Sequence, residues 1–151
     1  MQQYWLMKSE PNVYSINDLK KEFRTPWDGI RNYQARNFMR DSMRIGDNVL
    51  FYHSNSKPPG IAGIAKIAST PYPDHTALDP KSTYFDPKST KEKPIWMMVD
   101  VSFVKQSKRF IPLPELKTYP QLANMKVIQK GVRLSIQPVT KDEYDFILGL
   151  L

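Results

Sequence analysis

Apolar residues recur along this chain with two different periods, and the changes of period predict its first elements. Residues 1–9 (MQQYWLMKS) are rich in aromatic and apolar side chains and predict an opening strand. Ser15 is a typical N-cap residue, and Ile16, Leu19 and Phe23 follow it at helical spacing. The sequence therefore predicts a strand followed by a short helix.

A proline and a glycine, Pro26 and Gly29, then interrupt the pattern around Trp27. Asn32 can cap a second helix, which we predict over residues 33–41. Within this helix we expect Tyr33 and Arg36 to share one face. We expect Phe38 and Met39 to point inward.

The chain beyond residue 46 predicts β-structure and a closing helix. Residues 47–54 and 60–69 form two apolar runs joined by a Lys-Pro-Pro-Gly turn, which predicts a pair of strands. Residues 97–104 and 133–139 alternate with the period of a strand that has one buried face. A capping box opens a final helix with an apolar stripe; its residues are Thr140 and Glu143, then Tyr144, Ile147, Leu148 and Leu151.

Strands separated by short helices, without regular βαβ repeats, are typical of an α+β protein with a small mixed barrel or a strongly curved sheet. The length of 151 residues fits one domain. Residues 69–94 contain five prolines and the sequence DPKST twice, on either side of Tyr84 and Phe85. Long segments of this kind are usually functional, so we predict a surface loop that forms a lid or rim.

Charge and composition narrow the class of partner. The chain carries 22 Lys and Arg against 15 acidic residues, a formal charge of +7, and such a domain attracts phosphate backbones. Charge alone leaves a basic protein without nucleic-acid function as the alternative. Cysteine is absent, which excludes disulfides and cysteine-ligated metals. We expect an intracellular protein, cytoplasmic or nuclear, because neither a signal peptide nor an apolar run of the roughly 20 residues of a membrane span is evident.

Groups for catalysis or metal binding are sparse. His53 ends a predicted strand and His75 lies in the proline-rich segment, and no ligand spacing connects them to a metal site. No nucleophile elbow, phosphate-binding loop or dinucleotide fingerprint occurs. We therefore predict no metal, no cofactor and no enzymatic activity; a base-modifying enzyme that uses His53 or Asp28 is the alternative.

Groups for nucleic-acid recognition are concentrated in residues 26–38 (PWDGIRNYQARNF). Aromatic rings can stack on a base, polar side chains can read its edge, and arginines can hold phosphates. Trp27, set between a proline and a glycine, fits a pocket wall and a core position about equally well. Trp5 and Phe51 are expected in the core rather than in a pocket.

Longer stretches resemble a known family, the EVE domain. They include YWLMKSEP, TPWDGIRNYQARNFMRD, GDNVLFYHSN, PPGIAGIAKI and RLSIQPVTKDEYDFIL, and the resemblance extends from about residue 4 to residue 150. It implies one domain over residues 1–151 with a PUA-like α+β fold, a mixed β-barrel flanked by short helices, related to the YTH readers of methylated adenine in RNA. It also implies a non-catalytic module that binds nucleic acid carrying a modified base, notably 5-modified cytosine in DNA or a modified base in RNA.

The same resemblance assigns residues to a site. Arg31 and Arg36 would hold phosphates, and Trp27 would form one aromatic wall of a base pocket. The second wall stays open between Phe85, Trp96 and Tyr84, of which we place Tyr84 in the pocket. The other predicted pocket residues are Lys8, Ser9, Asp28, Asn32, Tyr33, Tyr52, His53, Ser54 and Asn55.

Three functions remain open from the sequence. The first is a non-enzymatic reader of a modified base, and the second is an enzyme that acts on a base or nucleotide. The third is a module that works through protein partners and keeps a vestigial pocket. The mutually supporting pocket residues favour the first function, whereas no nucleophile with an activating base supports the second.

Overall fold

The computed structural model describes residues 2–151, which form the α+β fold that the sequence predicts. A mixed sheet curls into a half-barrel and carries short helices against it. The strands are β1 (Tyr4–Ser9), β2 (Arg24–Pro26), β3 (Asn48–His53), β4 (Gly60–Ile67), β5 (Tyr72–Pro73), β6 (Met97–Met98), β7 (Asp100–Pro112) and β8 (Ile136–Val139). The α-helices are α1 (Ile16–Glu22), α2 (Tyr33–Asn37), α3 (Leu113–Leu116) and α4 (Lys141–Leu148). None of the helices in this described range combines the length and the apolar character that crossing a membrane requires.

The order of the strands brings three strand ends together. The six-stranded sheet has the order β2-β7-β4-β3-β1-β8, and β5 pairs separately with β6. β1 and β3 are parallel, whereas the other neighbours in the large sheet are antiparallel. The register shifts where β4 meets β3 and β7, and such bulges bend a sheet. The carboxyl ends of β1 and β3 therefore lie at one edge, beside the start of β8.

Apolar side chains cover both faces of this sheet. Trp5 and Phe51 point into a cluster that includes the buried face of α1. Leu50 and Tyr52 point into a second cluster on the other face, which includes residues of α4. Successive residues of a strand alternate between faces, so a strand with both faces buried is a continuous apolar run. The prediction that Trp5 and Phe51 lie in the core is confirmed.

The predicted helix caps are present. The side chains of Ser15, Asn32 and Thr140 each accept a hydrogen bond from the backbone N–H three residues later, at the starts of α1, α2 and α4. The chain continues after α2 as one turn of π-helix to Ser42, so the predicted extent of the second helix is nearly correct. The prediction for Phe23 is wrong: its φ of 70° ends α1, and its side chain is 62% exposed.

The strands of the second half differ from the prediction in length. The alternating run 97–104 is divided between β6 and β7, and β7 continues through the polar residues 105–109 to Pro112. Their side chains are largely exposed, which hid the strand from an analysis of apolar periodicity. β8 begins only at Ile136, and residues 69–94 contain β5 and a short 3₁₀ turn, His75–Leu78.

Candidate functional site

A cavity of about 800 Å³ opens at the edge of the sheet where β1 and β3 end and β8 begins. The end of β2 and residues 27–30 form a further side, and Tyr84 reaches it from the long segment 69–94. Cavities that bind small molecules or single chemical groups commonly have volumes of roughly 300–1,000 Å³. The predicted role of the long segment as a rim therefore has a structural counterpart in Tyr84.

Seven of the predicted pocket residues line this cavity. They come from four separate segments of the chain, brought together mainly by the parallel pairing of β1 with β3. The backbone N–H of Ser54 donates to the carbonyl of Ser9 at 3.0 Å and fixes the two strand ends side by side. The seven residues are Lys8, Ser9, Trp27, Asp28, Ser54, Asn55 and Tyr84.

Trp27 belongs to the cavity wall and to the core at once. Its side chain is only 7% exposed, and its ring packs edge-to-face against Phe51 with the ring centroids 5.6 Å apart. Its backbone N–H donates to the carbonyl of Val99 at 2.8 Å. Tyr84, by contrast with Trp27, is not a core residue, because its side chain is 40% exposed. Of the three aromatic residues considered for the second wall, Tyr84 lines the cavity, and Phe85 and Trp96 do not.

Tyr52 and His53 do not line the cavity. Tyr52 alternates to the other face of the sheet, where burial raises the pKa of its hydroxyl to about 12. His53 Nε2 accepts a hydrogen bond from the backbone N–H of Ile16 at 3.1 Å, so it supports the start of α1. Its ring lies against Phe51 and Phe110, and burial lowers its pKa. An Nε2 that accepts this bond carries no proton of its own, which removes it from acid–base work at that atom.

The predicted residues of α2 also lie outside the cavity. Asn32 uses its side chain for the helix cap. The ring of Tyr33 stacks on Trp96 at a centroid distance of 4.9 Å. The guanidinium of Arg36 lies 4.9 Å from the centre of the Tyr33 ring and donates to the carbonyl of Ile95 at 2.8 Å. These contacts hold α2 against the segment that precedes β6.

Arg31 joins the two segments that form the rim of the cavity. Its guanidinium pairs with the Asp74 carboxylate at 3.0 Å and donates twice to the carbonyl of Tyr84, at 3.0 and 2.7 Å. Asp74 also accepts the backbone N–H of Gly29 at 2.8 Å. Burial alone would raise the pKa of Asp74, but hydrogen bonds from Thr76, Gly29 and Arg31 hold it below its usual value. We call this arrangement the Arg31–Asp74 latch.

The cavity contains charges of both signs. Lys8 and Arg133 contribute cations, and burial lowers the pKa of the Lys8 ammonium. Glu10, Glu22 and Asp28 contribute carboxyl groups. Desolvation raises the pKa of Asp28, and the nearby carboxylate of Asp74 raises it further.

The residues that precede β8 also belong to the site, although the sequence did not predict them there. Val132, Arg133 and Ser135 line the cavity because β8 runs antiparallel to β1 and starts beside its end. The backbone N–H of Lys8 donates to the carbonyl of Ser135 at 2.8 Å. Arg133 is exposed and makes no ion pair with any of residues 2–151. A basic residue before a strand has no local signature, and only the pairing of β8 with β1 could have identified it.

We predict that Gly29→Ala destabilises the protein more than Gly131→Ala does. Both glycines have positive φ, +78° and +84°, so alanine introduces similar backbone strain of about 1–2 kcal/mol at each. A Cβ atom at position 29 would also lie 2.8 Å from the Tyr84 ring, whereas nothing lies within 4 Å of one at position 131. The free energy of unfolding from denaturant titrations measures both effects.

The double variant Gly29→Ala/Tyr84→Ala supplies the control for this prediction. Removing the ring removes the clash, so the double variant should lose less stability than the sum of its two single changes. Equal losses for Gly29→Ala and Gly131→Ala would show that the Tyr84 ring does not rest on Gly29.

Comparison with known proteins identifies the family. Residues 3–150 match the EVE domain. Human thymocyte nuclear protein 1 is 49% identical over 97% of this chain and 73% of the human protein. The structure of human THYN1 in complex with DNA containing 5-methylcytosine has a TM-score of 0.91 at 49% identity, covering 99% of this chain and 97% of that chain.

A more distant structure shares the fold alone. The YTH domain of the Zygosaccharomyces rouxii MRB1 protein, solved with N6-methyladenosine RNA, has a TM-score of 0.56 at 18% identity and covers 99% of this chain and 86% of that chain. The predicted resemblance and the PUA-like fold are therefore confirmed. The chain belongs to the EVE domain family.

Proposed function

We propose that this protein is a non-catalytic reader of 5-methylcytosine in DNA, which holds the modified base in the cavity at the ends of β1 and β3. The observation that carries the proposal is this cavity, which is lined by three aromatic residues, Tyr14, Trp27 and Tyr84, together with polar and charged groups. The complex of human THYN1 with DNA containing 5-methylcytosine supports the choice of base. A modified base in RNA is the second candidate, and the binding experiment below includes it.

The lining of the cavity suits a base that has left the duplex. Extruding a base costs a few kcal/mol, and stacking on aromatic side chains contributes about 1–3 kcal/mol per base. Trp27 and Tyr84 supply such rings. Pro26, Ile30 and Val132 add apolar surface on which the 5-methyl group can lie. Burial of one such group contributes about 0.8 kcal/mol, so the apolar lining favours 5-methylcytosine over cytosine.

The phosphates that flank the base need cations with free donors. The prediction that Arg31 and Arg36 hold phosphates stays untested, and both guanidinium groups already donate to protein acceptors. Arg133 lines the cavity, is exposed and has no ionic partner within residues 2–151. We assign the phosphate contact to Arg133 first, with the other formally positive side chains contributing to the long-range field.

The enzymatic alternative has less support. Human THYN1 is described by the DNA that it binds and not by a reaction. His53, one of the two candidate acid–base groups, uses Nε2 to accept a backbone N–H and does not line the cavity. The absence of enzymatic activity therefore remains part of the proposal. The intracellular location does too, and the name of the human relative favours the nucleus.

We predict that Tyr84→Ala weakens binding to DNA containing 5-methylcytosine by about 1–3 kcal/mol, the contribution of one stacked base. The parent protein should bind a duplex with a single 5-methylcytosine several-fold more tightly than the same duplex with cytosine, because the methyl group is buried. Fluorescence anisotropy at fixed salt measures both, with an RNA carrying the same modified base as a third ligand.

Phe85→Ala is the matched control for this experiment. Phe85 is the next residue, its side chain is 39% exposed, and it does not line the cavity, so its removal should leave the affinity unchanged. A parent protein without preference for 5-methylcytosine in either nucleic acid would refute the proposed function. Equal losses for the two variants would refute the assignment of Tyr84 to the wall.

We also predict that Arg133→Gln lowers the dependence of log K on log salt by about one unit, because one phosphate contact is lost. Arg36→Gln is the comparison, since the Arg36 guanidinium already donates to the Ile95 carbonyl and the Asn37 side chain. Binding to one 5-methylcytosine duplex at several salt concentrations gives the slopes. A slope that changes for Arg36→Gln and not for Arg133→Gln would refute this assignment and show that Arg36 of α2 contacts the phosphate.

A further inference from the structure

Three carboxyl groups line the cavity, and two of them have partners within the protein. Glu10 accepts a hydrogen bond from the side-chain amide of Asn55 at 2.5 Å. Glu22 accepts one from the hydroxyl of Tyr14 at 2.7 Å. Asp28 makes no ion pair and accepts no hydrogen bond from another of the described residues. Its carboxylate is therefore the one of the three that no other described residue already engages.

The backbone on both sides of Asp28 is fixed. The N–H of Trp27 donates to the carbonyl of Val99 at 2.8 Å, and the N–H of Gly29 donates to the Asp74 carboxylate at 2.8 Å. Trp27 itself lines the cavity, and the ring of Tyr84 rests on Gly29. Asp28 thus lines the cavity between Trp27 and Gly29 in the chain, on a segment whose backbone is held on both sides.

The electrostatic surroundings of Asp28 favour a ligand that donates a hydrogen bond. Desolvation raises its pKa and the Asp74 carboxylate adds to this effect, and together they outweigh the opposing influence of His75, of the backbone N–H of Asp28 itself and of Arg31. The Arg31 guanidinium is already paired with Asp74. A hydrogen bond from a ligand donor offsets part of the desolvation cost of such a carboxylate. A ligand oxygen in the same place would leave both itself and the carboxylate without a hydrogen-bond donor.

The pyrimidine bases differ in the groups that such a carboxylate would meet. Cytosine and 5-methylcytosine carry a 4-amino group, which donates hydrogen bonds, and carboxylates accept from this group in protein–DNA interfaces. Uracil and thymine carry a carbonyl oxygen, O4, at the same position. Thymine also has the 5-methyl group, so the methyl group alone cannot distinguish it from 5-methylcytosine. A methylcytosine reader in DNA needs a second criterion against thymine.

We infer that Asp28 supplies this criterion: its carboxylate accepts a hydrogen bond from the 4-amino group of the bound cytosine and repels O4 of thymine. The inference rests on the proposed function, because it assumes that the base enters the cavity. It makes Asp28 a specificity-determining residue, while the apolar and aromatic lining selects the methyl group. The two criteria act on different positions of the ring and should be separable.

Four duplexes separate the two criteria. Each carries one of cytosine, 5-methylcytosine, uracil or thymine opposite an abasic site, so no base pair has to be broken before extrusion. The affinity ratio of methylated to unmethylated base gives a methyl factor. The ratio of 5-methylcytosine to thymine, and of cytosine to uracil, gives a 4-position factor. Nonspecific attraction to phosphates cancels in both ratios.

The variant Asp28→Asn changes one factor and not the other. Its amide can accept from the 4-amino group or donate to O4, so we expect the 4-position factor to fall by about tenfold, toward one. The methyl factor should stay as in the parent protein. Asp142→Asn is the matched control, because it removes the same charge from the exposed first turn of α4, and both factors should then be unchanged.

The outcomes distinguish the inference from the proposed function. A methyl factor of one in the parent protein would refute the proposed function. A normal methyl factor with a 4-position factor that is one in the parent, or unchanged in Asp28→Asn, would overturn the role of Asp28 alone. If Asp28→Asn does not fold, the parent protein is tested with 5-methyl-2-pyrimidinone, which lacks the 4-amino group. Binding of that base as tight as binding of 5-methylcytosine would also overturn the inference.

Discussion

The ion pair between the half-buried Arg31 and the buried carboxylate of Asp74 connects the two chain segments that form the rim of the cavity. The carboxylate of Asp74 accepts the backbone N–H of Gly29, and Arg31 donates to the carbonyl of Tyr84, so one pair of charges fixes both segments at once. Removing one partner of a buried pair typically costs about 3–5 kcal/mol, since the other charge is left uncompensated. The spacing of the aromatic side chains in the wall therefore depends on this pair.

The contacts that Arg31 and Arg36 make within the protein also determine which positive charges are free to bind nucleic acid. Arg31 and Arg36 use their donors on carbonyl and side-chain oxygens of the protein, and both lie close to aromatic rings. A guanidinium that already donates in several directions offers little to a phosphate. The formal charge of +7 is thus not a direct measure of the charge available at the cavity. Arg133, which lies on a different segment, takes on greater importance for this reason.

The sequence predicts the fold class, the helix caps and seven of the eighteen residues that line the cavity, and which others reach it depends on strand pairing. Trp27 and Asp28 belong to one contiguous motif at the end of a strand, so a local resemblance suffices to identify them. Neighbouring residues on a strand point to opposite faces, so the same kind of resemblance assigned Tyr52 to the pocket although it faces the other side of the sheet. Arg133 reaches the cavity through the pairing of β8 with β1, which has no local signature. Tyr84 is predicted in the pocket from the sequence, but the contact of Arg31 with its carbonyl, which holds it there, joins segments far apart in the chain.

The central claim is that a modified base occupies the cavity at the ends of β1 and β3. A crystal structure of the protein with a duplex that contains one 5-methylcytosine tests it most directly. We expect the methylated base to leave the helix stack and lie against Trp27 and Tyr84, with its 4-amino group toward Asp28. A base that remains stacked in the duplex, or that is bound on another surface while this cavity holds only solvent, would contradict it.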